Sequence, residues 1–322
     1  MEGKKQGMSD IKMFSVGHDS AVELAGQVAA LEKDLQQLIE RHMDTFLGVR
    51  FLATEYSTGK THKGRIDSLG IDENGCPVII EYKRHSTENV INQGLYYLDW
   101  LLDHQAEFQL LVMKQVGHEQ AETIEWGGTR LICIAADFNK FDGHAVQQIN
   151  RNVELMRYKY FGDELLLLEL MNAQTASDSG KVKGSSSHVS QVMAKKASAK
   201  GRNDYHEARK NQASEELLAL YELVCDFADS LGDEVQRKEL KFYTALKRIK
   251  NFASVQVWAP QQNPKILIHL HLDPSEVELE EGFSTDVTDK GHWGTGSLEV
   301  TVKNKLDFEK AKVLIEKSYL AS

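Results

Sequence analysis

The 322-residue sequence has no apolar run approaching the roughly 18 residues that a bilayer span requires. Its opening segment, MEGKKQGMSDIKMF, lacks the apolar stretch and small-residue cleavage site of a secretory signal, so a cytoplasmic location is expected. Cysteine is scarce. Cys76, Cys133 and Cys225 are odd in number, far apart and without a CxxC pair. That excludes a disulfide framework and a cysteine metal cluster, and fits small buried thiols in a reducing compartment. The histidines show no HExxH spacing, and His62, His85 and His104 read as surface or packing residues rather than zinc ligands. No GxxxxGK[ST] motif is present, so no P-loop ATP-binding site is expected. No internal repeat is apparent.

What remains is an ordinary globular composition, 41% hydrophobic and 27% charged, on a chain long enough for two cores. The net charge of −10 argues at first against a nucleic-acid partner. Its distribution matters more than its sum. Residues 181–210 hold eight Lys+Arg against two Asp+Glu, while the segments before and after are acidic. Local basic patches on an acidic surface are compatible with a DNA enzyme without demanding one.

Ser177–Gln212 is rich in Ser, Lys, Gly and Ala with few large apolar residues, and reads as a flexible linker. The expected division is a domain over 1–174, a basic linker over 175–212 and a second domain over 213–322. Ahead of the linker the periodicities predict helices over 21–46, 89–104 and 142–158. Strands are predicted over 49–57, 65–71, 77–83, 108–116, 130–136 and 164–171, with Asn74-Gly75 marking a tight turn. This alternation implies an α/β fold, a mixed central sheet flanked by helices on both faces. After the linker, a helix capped by Ser214 over 214–231, strands over 254–258, 265–272 and 296–302, and a helix over 308–319 predict a small α+β domain.

Chemistry concentrates in GRIDSLGIDENGCPVIIEYKR, Gly64 to Arg84. Glu81 and Lys83 are two apart, so a strand projects both to one face. A hairpin turning near Asn74-Gly75 can bring Asp67 beside Glu81. Two carboxylates in contact repel unless a cation lies between them, and hard oxygen donors suit Mg²⁺ or Mn²⁺. A lysine beside such a cation can hold a water and stabilise developing phosphoryl charge. A carboxylate-x-lysine pair alone is more often a solvated cross-strand pair. Here the apolar run Val78-Ile79-Ile80 marks a buried strand, where charges need a partner or a purpose.

Asp67 followed by Glu81-Tyr82-Lys83 resembles the PD-(D/E)xK nuclease superfamily, with its restriction-endonuclease-like fold, and within it the RecB-like, NucS-type branch. A helix with an early glutamate, Leu31-Glu32-Lys33-Asp34-Leu35, precedes the strands, and a Gln-x-x-x-Tyr helix carrying Gln93 and Tyr97 follows them. The likeness covers roughly residues 20–171. The superfamily's Pro-Asp opening is absent, Ile66 preceding Asp67. The resemblance implies a Mg²⁺- or Mn²⁺-dependent phosphodiester hydrolase acting on DNA, in repair or in defence. Asp67 and Glu81 then match the metal ligands, Lys83 the catalytic lysine, Glu32 a supporting acid of the metal shell, and Gln93 and Tyr97 the motif behind the site. Glu32 is equally readable as a helix surface charge, Gln93 as a solvated position and Tyr97 as a core aromatic.

Lys60, His62, Lys63 and Arg65 form a basic strip before Asp67, and Arg84 follows Lys83; all are candidate phosphate contacts. In the C-terminal part, Trp293 within KGHWGTG reads either as a base-stacking residue or as a cap on the local core. Tyr243, Arg248, Phe252 and Trp258 offer a similar aromatic-basic mix. That part resembles a poorly characterised domain of such nucleases and could carry a homodimer or partner contact. Two other readings stay open: a nucleic-acid binder that keeps the fold without cutting, and a protein-interaction module.

Overall fold

A computed structural model of the chain describes residues 11–59, 63–84, 90–174, 205–292 and 294–322. Strands β1 (Met13–Val16) and β2 (Ala21–Leu24) form an antiparallel hairpin closed by the Gly17 N–H on the Ser20 carbonyl (2.8 Å). The short β3 (Gly26–Gln27) joins the main sheet instead. The helix expected over 21–46 is therefore shortened to α1 (Glu32–Arg41), with α2 (Met43–Leu47) after a break at His42. Residues 21–27 find backbone partners in strands, and that pairing overrides the apolar spacing that mimicked a helix. Where the helix does form, Leu35, Ile39, Met43 and Leu47 make its buried stripe.

Strands β4 (Val49–Ser57), β5 (Arg65–Asp72) and β6 (Pro77–Lys83) follow as an antiparallel meander. Gly75 adopts φ +75° in the β5–β6 turn, the conformation the Asn-Gly signal anticipated. Next comes α3 (Val90–Asp103). The strand expected over 108–116 is a helix, α4 (Gln105–Gln115). Phe108 and Val112 are buried one turn apart while Leu110 and Met113 are exposed, a helical face hidden inside an apolar run. After the short α5 (His118–Glu122), β7 (Arg130–Ala135) is buried throughout.

The helix expected over 142–158 is also corrected. It ends early as α6 (Lys140–Gln147), and the rest becomes β8 (Asn152–Phe161), followed by β9 (Leu165–Gln174). In β8, Val153 and Leu155 enter one core and Met156 and Tyr158 the other. A strand buried on both faces has no alternation to reveal it.

The resulting sheet has the order β3-β8-β7-β6-β5-β4, with β9 also paired to β8. β6, β7 and β8 are mutually parallel and the outer pairs antiparallel. α3 and α4 cover one face and α1 and α2 the other. The expected mixed sheet flanked by helices is the architecture observed.

The linker expectation needs trimming at its end. Tyr205–Gln212 is a helix, α7, anchored by His206 at 3.1 Å from Thr244 Oγ1. The remainder, 175–204, lies outside the described residues. α8 (Glu215–Asp229) starts at Ser214, whose hydroxyl accepts the Leu217 N–H. β10 (Gln236–Glu239), β11 (Thr244–Lys247), β12 (Asn251–Trp258), β13 (Lys265–Leu270), β14 (Ser284–Asp286) and β15 (Leu298–Val302) make an antiparallel sheet in the order β10-β11-β12-β13-β15-β14. α8 and the closing α9 (Lys305–Ala321) share one core with it.

The two sheets meet at the β5–β6 turn. Asn74 bonds Asn251 (2.7 Å) and Tyr243 (2.9 Å), and Glu73 accepts the Asn251 N–H (3.1 Å). Beneath lies a buried charge cluster. Glu154 accepts both Arg130 Nη1 (2.9 Å) and Lys247 Nζ (2.7 Å), and Arg130 Nε lies 3.3 Å from Asp72. These groups line a cavity of ≈ 30 Å³, on the scale of a water or two. Cys76, Cys133 and Cys225 are buried and unbridged. No helix among the described residues is long and apolar enough to cross a membrane.

Candidate active site

The β5–β6 register pairs Ser68 with Ile80, and its continuation sets Asp67 beside Glu81. Glu81 is fully buried, next to Cys133 of β7. Its carboxylate accepts the Asp67 N–H at Oε1 (3.2 Å) and Gln93 Nε2 at Oε2 (2.9 Å). Asp67 is half-buried, with Oδ2 accepting the Tyr82 N–H (3.0 Å). Two acids therefore share a strand junction, Glu81 held by the Asp67 N–H and Asp67 by the N–H of Tyr82, the residue after Glu81.

Burial pushes the Glu81 carboxyl up to about 9, and the adjacent Asp67 charge adds to the effect. Asp67 is also raised, first by burial, against the pull of the Tyr82 N–H and Lys83. Neither group is comfortable as an anion without a further positive charge. That donor chemistry fits a hard divalent cation, which would be held by Asp67 and Glu81. Among the described residues no three acidic, histidine or cysteine side chains gather into a metal cluster. A cation here would keep part of its water shell, as Mg²⁺ commonly does.

Lys83 leaves the same strand two residues later, and its ammonium lies 3.1 Å from Glu32 Oε1 at the start of α1. Glu32 Oε2 accepts the Arg84 N–H (3.1 Å). Both Glu32 oxygens are thus engaged by Lys83 and the chain beside it, and the Glu32 charge also helps to raise Asp67. Gln93 reaches Glu81 and not the lysine. Tyr97 is buried, and its hydroxyl accepts the Arg65 N–H (3.3 Å). A side chain at Gly64 would collide with the Tyr97 ring, so glycine is required for this close approach.

Of the candidate phosphate contacts, Lys63 and Arg84 are exposed, while Arg65 is paired with Glu55 (3.1 Å). Lys60 and His62, like His85 and Trp293, lie outside the described residues. His104 stacks on Trp100, consistent with a packing role.

Three residues escaped the sequence reading. Gln36 is buried and donates to the Asp67 carbonyl (2.8 Å), to Glu40 (3.0 Å) and to Thr54 (3.2 Å). Glu40 accepts the Ser68 hydroxyl (2.6 Å). With Glu32 these form an i, i+4, i+8 stripe on α1, a spacing that was visible but had no stated partner. Glu55 stands between the paired Thr54–Ser68 and Tyr56–Ile66 positions, opposite Asp67, at φ 47°. Its charge helps raise Asp67.

Residues 31–137 match the family model of the endonuclease NucS C-terminal domain, and residues 207–322 match a domain of unknown function (DUF5655). An uncharacterized protein of Haemophilus influenzae is 27% identical over 310 residues, covering 96% of this chain and 99% of that protein. A repair endonuclease from Pyrococcus abyssi aligns over 41% of this chain and 49% of its own, at 18% identity and a TM-score of 0.27. An EndoMS–dsDNA complex aligns over 41% and 47%, at 18% identity and 0.25. The chain thus spans about half the length of those solved structures, and its relationship to NucS-type nucleases rests on the family model over 31–137.

Proposed function

We propose that the N-terminal domain is a PD-(D/E)xK-type nuclease that hydrolyses phosphodiester bonds in DNA with Mg²⁺ or Mn²⁺. The observation that carries this reading is the half-buried Asp67 beside the fully buried Glu81 on adjacent strands, with Lys83 on the same strand as Glu81. A bound divalent cation would neutralise phosphoryl charge and make a water more acidic. Asp67 and Glu81 would hold it, the raised Glu81 carboxyl giving up its proton as the cation enters.

Lys83 donates toward the scissile phosphate and its attacking water. Glu32, 3.1 Å from that ammonium, directs it. Gln93 fixes the Glu81 carboxylate, and Gln36 fixes the strand at Asp67. Lys63 and Arg84, both exposed, serve the phosphate backbone; Arg65 serves Glu55 first. The match to the endonuclease NucS C-terminal domain supports the nuclease reading.

A nicking assay on plasmid DNA with Mg²⁺ tests this. Wild type is expected to cut, with Asp67→Ala and Lys83→Ala inactive yet binding DNA equally. Equal binding with no cutting by any of the three would favour a non-cleaving binder.

A further inference from the structure

The C-terminal region carries an exposed cluster unconnected with the acid pair. Trp258 ends β12 with 37% of its surface exposed, and Tyr205 opens α7 with 40% exposed. The Arg209 guanidinium is centred 4.5 Å over the Trp258 ring and 4.9 Å over Tyr205, and it donates to the Tyr205 hydroxyl. Phe242, half-exposed, has its ring centroid 6.0 Å from Tyr205, with Lys241 over it at 5.0 Å. Lys265 is the cross-strand neighbour of Trp258. Three aromatic rings and three cations thus form one surface. Lys210 is not counted, being committed to Glu239 (2.9 Å) and Glu207.

Large aromatics left on a surface beside cations signal a partner with π faces and negative charge. Two features select nucleic acid over an acidic protein. The rings are interleaved with guanidinium and ammonium groups, so that bases can extend an existing ring–guanidinium stack while phosphates meet Lys241 and Lys265. The patch also begins where the strongly basic stretch ends: residues 181–210, in an otherwise acidic chain, carry eight basic residues against two acidic ones and include Tyr205 and Arg209 themselves. Stacking needs unpaired bases, which a duplex does not offer on its outside.

We propose that Tyr205, Arg209, Lys241, Phe242, Trp258 and Lys265 form a binding surface for single-stranded nucleic acid, separate from the Asp67–Glu81 site. It stacks bases on Trp258 and Phe242 and holds the backbone with the cations, without reading sequence. The full chain thereby grips an unpaired segment while its other end acts on the strand.

Fluorescence anisotropy with labelled oligo(dT), oligo(rU) and a blunt duplex tests the surface, with the full chain in EDTA so that cleavage plays no part. Trp258→Ala is expected to weaken oligo(dT) or oligo(rU) binding at least fivefold and leave duplex binding within twofold. The tighter of the two oligomers names the sugar preferred. Lys241→Ala, at an exposed position outside the core, is expected to reduce the slope of log K against log salt by about 0.7. Single-strand binding within twofold of wild type in both variants, with the wild-type salt slope, overturns the proposal. Cleavage by Trp258→Ala is read separately with Mg²⁺, so failure of this surface and failure of the nuclease reading give different results.

Discussion

Glu154 is the centre of the buried cluster joining the two sheets, and its replacement by Gln makes a sharp test. Its carboxylate is 2% exposed, and the partners Arg130 and Lys247 are 5% and 9% exposed. Burial alone would raise it, but Arg130 and Lys247 together hold it below the usual carboxylate range. Glu154→Gln keeps the shape and removes the charge, leaving Lys247 without its anion and Arg130 with only Asp72 at 3.3 Å. Breaking a buried pair from one side costs about 3–5 kcal/mol, because an uncompensated charge stays behind. At roughly 2–4 °C per kcal/mol for a domain of this size, the melting temperature should fall by at least 6 °C. Urea denaturation followed by tryptophan fluorescence at pH 7 measures the loss directly. Because the folded carboxyl lies below its unfolded value of 4.5, its contribution is present at neutral pH and disappears as pH falls below that value. The deficit of the variant should therefore shrink in acid. A change under 1 kcal/mol at pH 7 would mean that Lys247 does not reach Glu154 in solution, and the fixed contact between the sheets would fall with it.

Further outcomes follow from the site. Divalent cation binding at pH 7 should release close to one proton, since Glu81 without a cation titrates near 9; calorimetry in HEPES and Tris would then give different heats, and affinity should climb with pH up to about 9. Identical heats in the two buffers would refute the assignment. Glu73, raised to about 7 first by burial, lies above its unfolded value of 4.5, so it adds stability in acid that is lost as pH rises from 4.5 to 7. Melting curves of Glu73→Gln should lack that decline; a parallel profile would contradict it. Gln93→Ala strips one donor from Glu81 and should lower cation affinity or cleavage by roughly 10- to 100-fold, checked by titration and by initial rates.

The legible parts of this molecule are those where one local signal had no competitor. Pro77–Lys83 announced a buried strand, and Asn74-Gly75 announced the turn that sets Asp67 beside Glu81. Ser214 announced its helix. The illegible parts are those decided by partners distant in sequence. Residues 21–24 look helical until Met13–Val16 pairs with them. Residues 152–158 look helical because both faces of β8 are buried. Tyr205–Gln212 looks unstructured because its anchors, Thr244 and Trp258, are supplied by later strands. At the site, Asp67, Glu81 and Lys83 were readable from spacing. The attachment of Glu32 to Lys83, of Gln93 to Glu81 and of Gln36 to the Asp67 carbonyl was not, because side-chain reach across a sheet edge leaves no periodicity. The charge cluster around Glu154 was hidden for the same reason.

Diffraction from crystals soaked in Mn²⁺, recorded at a wavelength that excites its anomalous signal, addresses the acid pair without the intermediary of an activity. A peak is predicted within direct coordination distance of Asp67 Oδ1 and a Glu81 oxygen, lost in Asp67→Asn. Saturating Mn²⁺ with no peak between those carboxylates, or a peak elsewhere that survives the substitution, would contradict the account.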